Sequence, residues 1–131
     1  MNTILELIDI KKIIPHELTD QSIIDILINK IRGDGYWSNP VIIDKETMII
    51  MDGHHRYEAA KIIGIKKIPC YIMGYHSNNV QIYNWKTNEK IDFNTIIQRV
   101  ERGQKLPIKT TKHVFSIPLY EVKIDLNALY V

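Results

Sequence analysis

The sequence is poor in the features that mark several protein classes. Cys70 is its single cysteine, which excludes an internal disulfide, a cysteine zinc cluster and two-thiol redox chemistry, and agrees with a reducing compartment. Charge of one sign is scarce as well. Seventeen Lys and Arg against fifteen Asp and Glu leave a net charge of +2, and the lysines are scattered, so the basic stripe of a nucleic-acid binder is missing and a small anionic ligand fits better. No apolar run approaches the roughly 20 residues that a membrane-spanning helix requires. Met1 to Glu6 lack the basic-then-apolar pattern of a secretory signal, and the expected location is the cytoplasm. At 131 residues the expectation is one domain over 1–131, large enough to bury a core.

What is present is a succession of short strands and amphipathic helices. Leu5 to Ile14 alternates loosely and then meets Pro15, which predicts a strand ending at Pro15-His16-Glu17. Thr19 or Asp20 can cap a helix whose Ile23, Ile24, Leu27, Ile28 and Ile31 recur at helical spacing, with Gly33 as its stop and a sheet as its packing partner. Gly33-Asp34-Gly35 is turn chemistry, and Tyr36-Trp37 before Pro40 is assigned to a connection outside the regular elements. Val41-Ile42-Ile43 and Met48-Ile49-Ile50-Met51 read as a hairpin of buried strands around polar Asp44 to Thr47. From Gly53 the period changes: Tyr57, Ala60 and Ile63 share a helix face, and Gly64 suits a left-handed stop. Ile68 to Met73 and Val80 to Trp85 are further strands. Phe93, Ile96, Ile97 and Val100 define a third helix, capped by Asp92 and closed by Gly103. Lys105 to Val131 is expected to lie extended across the body. The fold class is therefore mixed α/β.

A strand that ends in Asp52-Gly53 and turns at once into a helix offers backbone N–H groups and a helix dipole to an anion. Gly53 permits close approach, Arg56 offers a fork of donors, and His54 and His55 can donate to phosphoryl oxygens. A carboxylate beside phosphates would be repelled, so Asp52 either binds a cation such as Mg²⁺ or makes a capping bond. The bland alternative is a plain turn followed by two surface histidines. Glu17 stands in a loop where a general base could accept a hydroxyl proton during phosphoryl transfer, or be a solvated carboxylate before a helix. Lys109-Thr110-Thr111-Lys112-His113 could bind a carboxylate and a phosphate, or be an edge strand protected by lysines. Trp85 could pack on the aliphatic part of a small substrate, or belong to the core. Cys70 reads as a small buried hydrophobe.

Met51-Asp52-Gly53-His54-His55-Arg56-Tyr57-Glu58-Ala59-Ala60, followed by Ile63-Gly64-Ile65-Lys66-Lys67-Ile68-Pro69, resembles the core box of the ParB/sulfiredoxin superfamily, in which this strand–turn–helix unit binds nucleotide phosphates. Sulfiredoxins carry a catalytic cysteine where this chain has His54. ParB proteins append a helix-turn-helix domain, for which nothing beyond Val80 is a candidate. With Pro15-His16-Glu17 near the start, Trp85, and Lys109 to Val114 near the end, the chain resembles the archaeal free L-serine kinases. That resemblance implies transfer of a phosphoryl group from ATP or ADP to the hydroxyl of L-serine, giving O-phosphoserine within serine and cysteine metabolism. It implies Glu17 as base and Asp52 to Arg56 as the seat of the nucleotide and Mg²⁺. Trp85, Lys109, Thr110, Thr111, Lys112 and His113 would lie on the serine side. The family's long insertion after the third helix is absent, and of the two donors ATP is preferred. A ParB-like nucleotide-binding regulator without kinase activity is the alternative.

Overall fold

The computed structural model describes residues 4–131. Its centre is a four-stranded sheet of β1 (Ile4–Asp9), β3 (Val41–Asp44), β4 (Ile50–Asp52) and β5 (Lys67–Met73), in the order β1-β5-β3-β4. β3 runs parallel to β5 and antiparallel to β4, and β1 is antiparallel to β5, so the sheet is mixed. Apolar residues fill both faces. Val41 and Ile43 join Ile50, Ile68 and Cys70 in one core, whereas Ile42 joins Ile49, Met51, Tyr71 and Met73 in the other. This two-sided burial explains why β3 reads as a continuous apolar run.

The first core is covered by α1 (Gln21–Asp34) and α2 (His54–Ile63), through Ile24, Ile28 and Ile31 of one and Tyr57, Ala60 and Ile63 of the other. The second is covered by β6 (Val80–Asn84), α3 (Phe93–Glu101) and Phe115 of β7 (Thr111–Phe115), with β6 and β7 forming an antiparallel pair. The hairpin of β3 and β4 and the bounds of α2 agree with the sequence reading.

Four expectations need correction. The strand predicted over 5–14 ends at Asp9, whose carboxylate accepts from the Lys11 N–H and starts a 3-10 turn over Ile10–Lys12; Ile14 keeps only an isolated bridge to Ile49. Gly33 lies inside α1, because a glycine in a helix costs about 1 kcal/mol but does not by itself end it. The stop is Gly35, at φ 76°, whose N–H returns to the Ile31 carbonyl. Tyr36–Trp37 is a strand, β2, paired with β8 (Ile124–Asp125). Trp37 is 1% exposed and donates its indole N–H to the Asn39 carbonyl, so the local turn signals gave way to a partner far downstream. The terminal segment is only partly extended: it contributes β7, β8 and a 3-10 turn over Leu126–Leu129, whose Leu126 and Leu129 enter the first core.

Candidate functional site

β4 passes into α2 through Gly53 alone. Gly53 has φ 110° and ψ 28°, and a Cβ there would stand 2.9 Å from Arg56 Nη2 and 3.1 Å from Val41 Cγ2. Glycine alone meets both demands. No side chain caps α2, whereas Asp20 caps α1 and Asp92 caps α3. The N–H groups at the start of α2 thus have no side-chain cap, at the positive end of the helix dipole. They border a cavity of about 390 Å³ whose wall carries Asp52, Gly53, His54, His55 and Arg56 together with Glu17, Trp85, Lys109 and Thr111. The alternative of a plain turn with two surface histidines does not describe this geometry.

Arg56 is held from three sides. Nη1 donates to the carbonyls of Asn39 and Pro40, each at 3.1 Å, and Nη2 to Asp52 Oδ2 at 3.2 Å. Burial lowers its pKa while Asp52 opposes that shift, and a guanidinium remains charged in any case. The Asp52 side chain is exposed, and it caps nothing in α2. His54 is buried and His55 partly so, and each uses Nε2 as an acceptor: His54 from the His16 N–H and His55 from the Asp20 N–H, both at 3.0 Å. Burial is the main cause that lowers the pKa of both, with His16 and His113 adding to it at His54.

Glu17 is buried, not solvated. Oε1 accepts from the Lys109 N–H and Oε2 from the Thr111 N–H, both at 3.0 Å, and Oε2 also takes a short bond from the Thr111 hydroxyl. His16, with no exposed surface, brings Nε2 to 3.1 Å from Thr111 Oγ and 3.6 Å from Glu17 Oε2. With the hydroxyl proton directed to Glu17, the bond between His16 and Thr111 must come from an Nε2–H. Burial brings the pKa of His16 down to about 4. The His16 ring meets that of His54 at 4.5 Å and that of His113 at 6.2 Å. His113 is bonded through Nε2 to the Tyr75 hydroxyl, and its pKa is brought to about 3, first by burial and then by His16.

Of the terminal candidates, Lys109 and Thr111 line the cavity while Thr110, Lys112 and His113 do not. The Thr110 hydroxyl donates to the Pro107 carbonyl, and Lys112 Nζ lies 5.1 Å from the centre of the Trp85 ring. Trp85 lies just beyond β6 and is 52% exposed, so it is not a core tryptophan. Sequence reasoning missed His16 and Asn39. His16 stood inside the quoted Pro15-His16-Glu17 but had no visible partner, because Thr111 and His54 are far away in sequence.

No family model matches the chain. A ParB-like protein of Sulfolobus acidocaldarius is 40% identical over 81 residues, which are 62% of this chain and 40% of the relative. The ADP-dependent L-serine kinase SerK of Thermococcus kodakarensis is 30% identical over 99 residues, 72% of this chain and 41% of the relative. Others are named ATP-dependent L-serine kinases. A mutant of a free serine kinase in complex with AMP superposes with a TM-score of 0.87 at 18% identity, covering 98% of this chain and 95% of that one. This chain has the free serine kinase fold. By sequence it is similar to L-serine kinases over about 100 residues, and it spans only about two fifths of the length of these curated relatives.

Proposed function

We propose that the chain is a phosphotransferase that moves the terminal phosphoryl group of an adenine nucleotide to the hydroxyl of L-serine. One observation carries this reading: a fixed carboxylate, Glu17, shares a single cavity with an uncapped helix start and Arg56. A carboxylate has about four acceptor sites. Lys109 and Thr111 occupy three of them, two on Oε2 and one on Oε1, which leaves one on Oε1 for a substrate hydroxyl. Glu17 takes the proton there as the serine oxygen bonds to phosphorus. The bond to the leaving nucleotide breaks in the same displacement, giving O-phosphoserine and a nucleotide one phosphate shorter. The N–H groups at the start of α2 would hold the phosphates, and Lys109 adds a cation to the same wall. Trp85 would close the acceptor side. Thr110, Lys112 and His113 would support it from outside the cavity wall.

Mg²⁺ fits this donor set. Among the described residues no group of three His, Cys, Asp or Glu is arranged to hold a metal, but Mg²⁺ is commonly bound by one carboxylate, substrate phosphates and water. Asp52, exposed at the cavity wall, would supply that carboxylate. When bound, the ion would neutralise charge on the phosphoryl oxygens. We favour ATP as donor, with ADP as the other candidate, and a cytoplasmic setting, which suits a single buried thiol.

The test is incubation of the purified protein with Mg²⁺, L-serine and either ATP or ADP, following O-phosphoserine. Product with one donor is expected, and none with either would overturn the reading. Glu17→Gln should lower kcat at least about a hundredfold, the scale of a general base, while nucleotide still binds; undiminished kcat would remove Glu17 from the chemistry. A second reading is favoured by the 40% identity to a ParB-like protein: a nucleotide-binding regulator. Nucleotide binding without phosphoserine, joined to salt-dependent retention on DNA, would select it.

A further inference from the structure

The two histidines at the start of α2 look, by position, like donors to phosphate. Their recorded bonds are different. His54 Nε2 and His55 Nε2 each accept a backbone N–H at 3.0 Å, from His16 and Asp20, the residues that bracket Glu17. An imidazole nitrogen that accepts an N–H carries no proton, so each ring is neutral with its proton on Nδ1. Neighbouring residues of a helix point about 100° apart, and here the divergence lets one helix turn grip the loop at both ends.

We propose that His54 and His55 are positioning residues, which clamp the loop 16–20 to the start of α2 and thereby set Glu17 against the nucleotide seat.

The loop's other side is fixed by independent bonds. The Leu18 N–H donates to the Leu106 carbonyl and the Leu106 N–H to the His16 carbonyl, both at 2.8 Å, while Glu17 holds the N–H groups of Lys109 and Thr111. Glu17 therefore sits between two anchors, and only the histidine anchor belongs to the nucleotide box. Releasing it would let the carboxylate drift from the hydroxyl it must meet, while the uncapped start of α2 and Arg56 stay in place for the phosphates. Displacements of about 1 Å are costly in such steps. The effect should fall on kcat and spare nucleotide affinity. The clamp's consequence for catalysis rests on the kinase reading, while its geometry does not.

His55 is the residue to vary, because it is partly exposed and its replacement threatens the fold least. His55→Leu removes the acceptor, whereas in His55→Gln the side-chain carbonyl reaches about as far as Nε2. In His55→Leu the Asp20 amide should exchange with solvent about fivefold faster or more, the scale of one lost hydrogen bond. In the same variant kcat should fall about tenfold, with the dissociation constant for ADP within about twofold of the unmodified chain. His55→Gln should restore most of both. An unchanged Asp20 amide, or an ADP constant that worsens as much as kcat with no rescue by glutamine, would overturn the clamp. For buried His54 the readout is the ¹⁵N spectrum of the unmodified chain. A neutral ring protonated on Nδ1, before and after ADP is added, is expected; an Nε2–H ring or a histidinium in the bound state would overturn it. The amide and tautomer measurements need no turnover, so absence of phosphoserine would sink the kinase reading alone.

Discussion

The three long helices begin in two different ways. Asp20 accepts from the Ser22 N–H and hydroxyl at the start of α1, and Asp92 accepts from the Asn94 N–H at the start of α3. α2 begins on a left-handed glycine with no cap, backed by the neutral rings of His54 and His16. A capping carboxylate is worth about 1 kcal/mol and also occupies the seat an anion would take. α1 and α3 keep that stability. α2 forgoes it, and of the three helix starts its own alone borders the cavity shared with Glu17. A missing cap beside a cavity is what a helix start that takes an anionic ligand would show.

Acid should break this comparison most severely. The folded pKa values of His16 and His113, about 4 and about 3, lie below the ordinary 6.5, and that of His54 is also well below it. Through that window the unfolded chain binds more protons, so stability falls as pH drops from about 6.5 toward about 4. Asp20 shifts in the same direction but from a lower starting point. Hydrogen bonds from Ser22 hold its carboxyl below its usual range, so the α1 cap stays charged while the pH falls through that window. Between pH 7 and 4.5 the melting temperature should fall steeply, and the amides of loop 16–20 should lose protection before Ser22 does. A flat melting temperature, or early loss at Ser22, would contradict the assignment of neutral buried rings.

A smaller but local effect separates Gly53 from Gly64, at the two ends of α2. Both have positive φ, 110° and 89°, but a Cβ at Gly64 meets nothing within 4 Å, whereas at Gly53 it meets Arg56 and Val41. Gly64→Ala should cost about 1 kcal/mol of backbone strain. Gly53→Ala adds overpacking, for on the order of 3 kcal/mol in all, and it pushes the guanidinium away from Asp52. Denaturant unfolding of the two variants measures the difference. Equal losses would mean that close approach at Gly53 is unimportant.

The same contrast explains what could be read in advance. Asp20, Asp92, Gly53 and Gly64 act within a few residues of themselves, through cap bonds and left-handed turns, and local pattern pointed to all four, with Thr19 as the alternative to Asp20 and Gly53 read for close approach. The box could be proposed as a phosphate seat from its residue types, whereas Glu17 could be proposed as a base only through the resemblance to the serine kinases. What escaped depends on partners distant in sequence. β2 exists because Ile124 and Asp125 pair with it, and Glu17 is buried because Lys109 and Thr111 supply its donors. His54 and His55 were legible as hydrogen-bonding rings. That they accept rather than donate at Nε2 was not, since loop 16–20 has to fold against them first.

The smallest effect expected tests the capped half of the comparison. Asp20→Ala and Asp92→Ala each remove a cap and should each cost about 1 kcal/mol in denaturant unfolding. Asp20→Ala should cost slightly more, because Asp20 also takes the Ser22 hydroxyl. Neither carboxylate lines the cavity, so the dissociation constant for ADP should stay within about twofold in both, well under the effect of one charge-assisted contact. The Asp20 variant is the sharper test, since its backbone N–H is the one that His55 holds and the substitution leaves that N–H in place. If nucleotide affinity fell with the Asp20 cap but not with the Asp92 cap, the starts of α1 and α2 would form one anion site. The distinction between capped and reserved helix starts would then be lost.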